Sequence, residues 1–178
     1  MTRALGALVL LALLSIIPAA SAGVSGPCSG CASHEEWPTV HGVVKKAQGG
    51  RAAHHIGTKR SDELLGHHGS DVLSGRGRSD ILWGDADPVA QPSGQNDLIY
   101  GGGGNDFIYG SHGRNVIYGG PGNDAISVHY GRGFVDCGPG RDIYHVAKSR
   151  KHGYKFRNCE KVDYRSEARR GRGLKPLP

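Results

Sequence analysis

The sequence predicts an all-β molecule, a parallel β-roll: a two-stranded solenoid of nonapeptide repeats with an irregular N-terminal segment and a basic C-terminal tail. Three observations predict it. From residue 66 to residue 146 the chain repeats itself every nine residues, as in GGGGNDFIY (101–109), GSHGRNVIY (110–118), GGPGNDAIS (119–127), VHYGRGFVD (128–136) and CGPGRDIYH (137–145); self-similarity at a fixed period marks a solenoid. With 30 glycines and three phenylalanines, the chain cannot rest on an ordinary packed core and needs backbone pairing plus a non-hydrophobic source of stability. Each unit keeps one large apolar position, held in turn by Leu64, Leu73, Leu82, Ile99, Ile108, Ile117, Ile126, Val135 and Tyr144. One inward side chain between two outward neighbours is what a strand of about three residues supplies, and the glycine-rich remainder can turn through positive φ.

The 178 residues divide into four stretches. Residues 1–22 read as a secretory signal peptide: Arg3, an apolar run over 4–17 and a small-residue site Ala20-Ser21-Ala22. The expected location is therefore secreted or extracellular, and no segment has the length of a transmembrane helix. Residues 23–56 show no strong period and are expected to be irregular. There, Cys28-Ser29-Gly30-Cys31 with His34 and His41 has zinc-ligand spacing, but in an oxidising compartment the same cysteines form disulfides. Four cysteines allow three pairings. A zinc-protease helix at His34-Glu35-Glu36 is excluded, because Pro38 stands where the second histidine is needed.

Residues 57–146 hold the repeats, and residues 147–178 the tail. The first units, GTKRSDELL (57–65), GHHGSDVLS (66–74) and GRGRSDILW (75–83), keep the aspartate while losing glycines. An insertion then lengthens the step from Asp80 to Asp97 to 17 residues, and its Pro88 and Pro92 place it on a surface loop. Asp85 and Asp87 within it do not open an EF-hand, since Ala90 stands where that loop needs glycine. Beyond it the register is strict through Asp106, Asn115, Asp124, Gly133 and Asp142.

A flattened coil of two strands and two turns uses two nonapeptides, so each repeat stacks on the next but one, roughly 4.8 Å away. Asp62, Asp80, Asp106, Asp124 and Asp142 then line one edge; Asp71, Asp97, Asn115 and Gly133 line the other. Carboxylates so stacked repel by roughly a few kcal/mol per pair at an effective dielectric near 20, so a cation must lie between them. Carboxylate and carbonyl oxygens select Ca²⁺.

The pattern G-G-x-G-x-D-x-U-x, with U the apolar position, resembles the calcium-binding nonapeptide of the hemolysin-type (RTX) repeat family. That resemblance implies calcium between the turns of repeats n and n+2, held best by Asp106 with Asp124 and by Asp124 with Asp142, assisted by the carbonyls of Gly101, Gly103, Gly119 and Pro121. Asp80 with Asp106 and Asp71 with Asp97 are implied as weaker sites because the insertion separates their repeats. The second edge departs from the family: Asn115 and Gly133 replace aspartate, each after an arginine, and Arg114 and Arg132 are candidates to stand in for the ion. The resemblance further implies a disulfide from Cys137 to Cys159 folding the tail over the last coil, with Cys28 and Cys31 as the other bridge.

Position nine of the repeats carries Trp83, Tyr100, Tyr109 and Tyr118, a strip that reads as a stiffening ladder or as a sugar-binding platform. Charge divides sharply: residues 57–146 carry 11 acidic and 7 basic side chains, while residues 147–178 carry 11 basic and 3 acidic. The tail could meet an anionic cell-wall polymer or glycan, but without interleaved aromatics sequence-specific nucleic-acid recognition is not expected. No nucleophile motif and no separate catalytic domain are present, so the expected function is calcium binding rather than catalysis.

Overall fold

The computed structural model describes residues 37–86, 92–148 and 153–164. The signal-peptide reading, the Cys28–Cys31 region and the basic run from residue 165 onward lie outside the described residues. The fold is the expected parallel β-roll. Among the described residues, thirteen strands run in chain order: β1 (Val44–Lys46), β2 (His54–Ile56), β3 (Glu63–Leu65), β4 (Val72–Gly77), β5 (Ile81–Trp83), β6 (Asn96–Gly103), β7 (Phe107–Tyr109), β8 (Arg114–Tyr118), β9 (Ala125–Ser127), β10 (Arg132–Asp136), β11 (Ile143–His145), β12 (Tyr154–Arg157) and β13 (Lys161–Asp163). Odd-numbered strands form one sheet in chain order and even-numbered strands the other, every pairing parallel. Among the described residues, no helix is long and apolar enough to cross a membrane.

Register follows the period. Leu98 pairs with Val116 and Phe107 with Ala125, 18 residues on. Across the insertion the step lengthens to 26, as in Ile81 with Phe107 and Val72 with Leu98. The register on either side of the insertion is therefore kept, because a one-residue slip would turn every apolar side chain outward. Inside the roll, the apolar positions from Leu64 to Val135 are fully buried and Tyr144 is nearly so. Burial of each such side chain is worth roughly 1.5–3 kcal/mol.

The roll starts earlier than the sequence predicts. β1 and β2 fall within residues 23–56, expected to be irregular, yet Lys45 pairs with Leu64 and His55 with Leu73. An open sheet edge offers unpaired backbone groups to any extended segment, whatever its side chains. The glycine-aspartate motif is therefore not required there.

At the other end, β12 and β13 close the coil. Cys137 and Cys159 are joined by a disulfide. Tyr154 and Phe156 fill the last layer, with Phe156 4.2 Å from the ring of Tyr144. Arg157 binds Asp136 through Nε at 2.8 Å and also through Nη2, and Asn158 Nδ2 donates to the other carboxylate oxygen at 2.8 Å. The Arg157 hydrogen bond above all holds Asp136 below the usual carboxylate range. On the outer faces, Tyr100 stacks on Tyr118 at 5.2 Å and Trp83 on Tyr109 at 4.6 Å, with Trp37 packed edge-on against Trp83. The position-nine aromatics thus form cross-strand ladders within each sheet.

Candidate metal centre

The aspartates that precede the odd-numbered strands form a single ladder. The backbone amide of Asp62 donates to Oδ1 of Asp80 at 2.7 Å; those of Asp80, Asp106 and Asp124 donate to Oδ1 of Asp106, Asp124 and Asp142, each at 2.8 Å. Each rung therefore ties a turn to the turn one full coil later. Glu160 supplies the last rung, its Oε2 accepting from the amide of Asp142 at 2.8 Å. The interval from Asp142 to Glu160 is again 18 residues, a signal the sequence carried in an otherwise non-repetitive tail.

The other carboxylate oxygens on this ladder are in a different state. Asp80, Asp106, Asp124 and Asp142 are all at most 2 % exposed, and Oδ2 of each has no hydrogen-bond partner. A buried polar atom left unmet costs about 1–3 kcal/mol, and more when charged. Burial accordingly pushes Asp106 up to about 8, Asp80 and Asp124 to about 7 and Asp142 to about 6, with neighbouring carboxylates adding to the rise.

Backbone oxygens lie beside these atoms. A Cβ built on Gly101 would sit 2.5 Å from Oδ2 of Asp106 and 2.3 Å from the carbonyl oxygen of Gly119. The same recess recurs at Gly75, with Asp80 Oδ2 and Gly101 O, and at Gly119, with Asp124 Oδ2 and Cys137 O. Each holds one carboxylate oxygen and one carbonyl from the following coil, around a face that only glycine leaves bare. Among the described residues, no three His, Cys, Asp or Glu side chains converge as a metal cluster. The atoms that do lie together in the recesses are hard oxygens of mixed side-chain and backbone origin, a donor type that suits Ca²⁺.

Of the residues singled out from sequence, Asp80, Asp106, Asp124, Asp142, Gly101 and Gly119 come together here. Asp80 with Asp106 has the same rung as Asp106 with Asp124, so the insertion does not set it apart. Pro121 accepts from the amide of Gly104 at 2.9 Å, and Gly103 pairs with Gly77 in the β4–β6 register. The carbonyl of Cys137 also lies beside Asp124, a role its sequence position does not signal because its side chain points only to a disulfide.

The second edge is furnished differently. Oδ1 of Asp71 accepts from Ala53 at 2.7 Å and its Oδ2 from the amide of His67 at 2.9 Å. Oδ1 of Asp97 accepts from the amide of Asp71 at 3.0 Å, while Oδ2 accepts from the hydroxyl of Ser111. Burial raises Asp97 to about 6. Asn115 Nδ2 donates to the Ser111 carbonyl at 2.8 Å and to the Tyr154 hydroxyl at 2.9 Å, and that hydroxyl donates to Tyr130 O at 2.8 Å. Arg114 and Arg132 do not take the place of an ion there: both are exposed, and Ser111 and Tyr154 meet the buried amide instead.

Comparison with known proteins bears on the same stretch. Residues 56–87 and 93–126 match the RTX calcium-binding nonapeptide repeat, in four copies. No curated protein and no solved structure matches the chain.

Proposed function

We propose, from a roll whose residues 56–87 and 93–126 are RTX calcium-binding nonapeptide repeats, that this is an exported calcium-binding protein whose coil is stabilised by Ca²⁺ between stacked turns. One observation carries the reading: four buried aspartates in a row, Asp80, Asp106, Asp124 and Asp142, each keep one carboxylate oxygen without a donor. With Gly101 O, Gly119 O and Cys137 O beside the first three, these oxygens would hold the ions. Bound calcium supplies the positive charge that lets buried carboxylates stay ionised.

The chain's own part is to place the oxygens. The rungs fix Asp80, Asp106 and Asp124 by their Oδ1 and leave Oδ2 of each beside a glycine recess, so these ligands are already set by the coil pairing. Folding and binding are then linked: a ligand that binds only the folded coil stabilises it by RT ln(1 + [L]/Kd), about 2.7 kcal/mol per site at a hundredfold excess over Kd. Export is supported by the character of residues 1–22 and by the Cys137–Cys159 disulfide, a bond that persists in oxidising compartments. We read the role as structural, with calcium as the partner, since the residues that converge are ion ligands and carry no nucleophile.

Titration calorimetry of the full chain with Ca²⁺ and with Mg²⁺ tests this. Saturable Ca²⁺ binding with much weaker Mg²⁺ binding is expected, because Mg²⁺ demands a tight octahedral shell that turn carbonyls do not offer. Absence of Ca²⁺ binding would refute the reading.

A further inference from the structure

Whether a turn is left open for an ion depends on the second residue of its repeat. In the turns of Asp80, Asp106, Asp124 and Asp142 that residue is Arg76, Gly102, Gly120 or Gly138, with φ of 82°, 112°, 106° and 103°. In that left-handed conformation its amide turns away from the aspartate: Gly102 N–H donates to Gly119 O at 3.0 Å and Gly120 N–H to Cys137 O at 3.1 Å. Oδ2 is then left without a donor in all four turns.

In the first two repeats the second residue is Thr58 or His67. Among the described residues, the non-glycine positive φ angles belong to Arg76, Arg78 and Asn158, so neither shares that conformation. Here the amide points inward instead. Thr58 N–H donates to Oδ2 of Asp62, helped by its hydroxyl at 3.1 Å, and His67 N–H donates to Oδ2 of Asp71 at 2.9 Å. The chain's own N–H fills the place that a cation would take.

On the second edge every remaining rung is closed by a side chain or has none. Ser111 donates to Asp97, and Gln95 Nε2 bridges Ser111 Oγ at 3.2 Å and Asp85 Oδ2 at 3.0 Å. Asn115 brings an amide, held by the Ser111 carbonyl and Tyr154, where an anionic ligand would be needed. Gly133 brings no side chain at all. This network spans residues far apart in sequence, and it satisfies each buried polar group without an ion.

We propose that calcium loading is one-sided: ions enter only the four turns of Asp80, Asp106, Asp124 and Asp142, while the opposite edge and the Asp62 turn are closed by hydrogen bonds from the chain itself. The inference rests on the calcium reading above and goes beyond it, since the repeat pattern alone gives the turns of Asp62, Asp71 and Asp97 the same aspartate as the four open ones. One edge is then a metal-independent seam that holds the coil together, and the other tightens it on loading.

Native mass spectrometry of the full chain at saturating Ca²⁺ tests this by counting ions, with Asp71→Asn, Asp97→Asn, Asp106→Asn and Asp124→Asn as variants. The expected count is no more than four per chain, unchanged in Asp71→Asn and Asp97→Asn, and lower by at least one in Asp106→Asn and Asp124→Asn. A wild-type count above four, or a loss of ions in either second-edge variant, would overturn one-sided loading while leaving calcium binding intact. No bound calcium in the wild type would overturn both. The wild-type count decides the matter even if a variant fails to fold.

Discussion

The backbone amide of Asp106 donates to Oδ1 of Asp124 at 2.8 Å, while Oδ2 of that same carboxylate is buried without any donor. One oxygen therefore belongs to the fold, and the other is the one we propose for calcium. Substitution can separate the two. Asp124→Asn keeps an oxygen for the rung and removes the charge. In saturating Ca²⁺ it should lose about one site, about 2.7 kcal/mol, and lower Tm by roughly 5–10 °C. In chelator it should raise Tm, because an uncompensated buried charge has gone. Differential scanning calorimetry in both buffers checks this, and the same sign in both would count against the assignment.

Acid and calcium should act as substitutes. The folded, ion-free values of Asp80, Asp106, Asp124 and Asp142 lie at about 7, 8, 7 and 6, above the ordinary carboxylate value near 3.8. Between that value and about 8 the folded state binds more protons than the unfolded chain, so stability must fall as pH rises through this window. Thermal unfolding of the chelated protein should give a higher Tm at pH 5 than at pH 8. With Ca²⁺ present the order should reverse, because only the ionised carboxylates bind the metal.

The disulfide joins the cap to the proposed metal edge, since Cys137 supplies both a sulfur to Cys159 and a carbonyl beside Asp124. Cys159→Ser should cost about 3 kcal/mol by chain entropy and weaken the calcium site at Asp124 more than that at Asp80. Urea unfolding and calcium titration of the variant provide the two readings. Equal weakening at both sites would argue that the cap acts only on global stability.

Arg76 holds φ at 82° where the later repeats use glycine. A non-glycine residue there costs roughly 1–2 kcal/mol, partly offset by the entropy glycine loses on folding. Arg76→Gly should therefore stabilise the roll by up to about 1 kcal/mol without changing the number of ions bound. Denaturation midpoints with and without Ca²⁺ measure it.

Much of this architecture could be read from the chain. The apolar position of each unit, from Leu64 to Tyr144, points inward as its spacing requires, and the aspartates fall on the two edges that an 18-residue coil assigns. What escaped depends on contacts between distant residues or on backbone state. Tyr154 reaches Asn115 across 39 residues, so nothing local marks it as the group that closes the second edge. β1 and β2 pair by backbone hydrogen bonds, with the carboxylates of Asp62 and Asp71 accepting from Val43 and Ala53 just before them, so their own side chains carry no repeat pattern. Residue type also misleads at Arg76: an arginine there suggests a closed turn like that of Thr58, yet its φ leaves the turn open.

The central claim is that calcium and folding are coupled through unmet carboxylate oxygens on one edge of the roll. Far-ultraviolet circular dichroism during thermal unfolding, in excess Ca²⁺ and then in excess chelator, tests it most directly. The Tm at pH 7.5 should be lower by at least 10 °C in chelator and restored when Ca²⁺ is added back. Superimposable curves in the two conditions would contradict it.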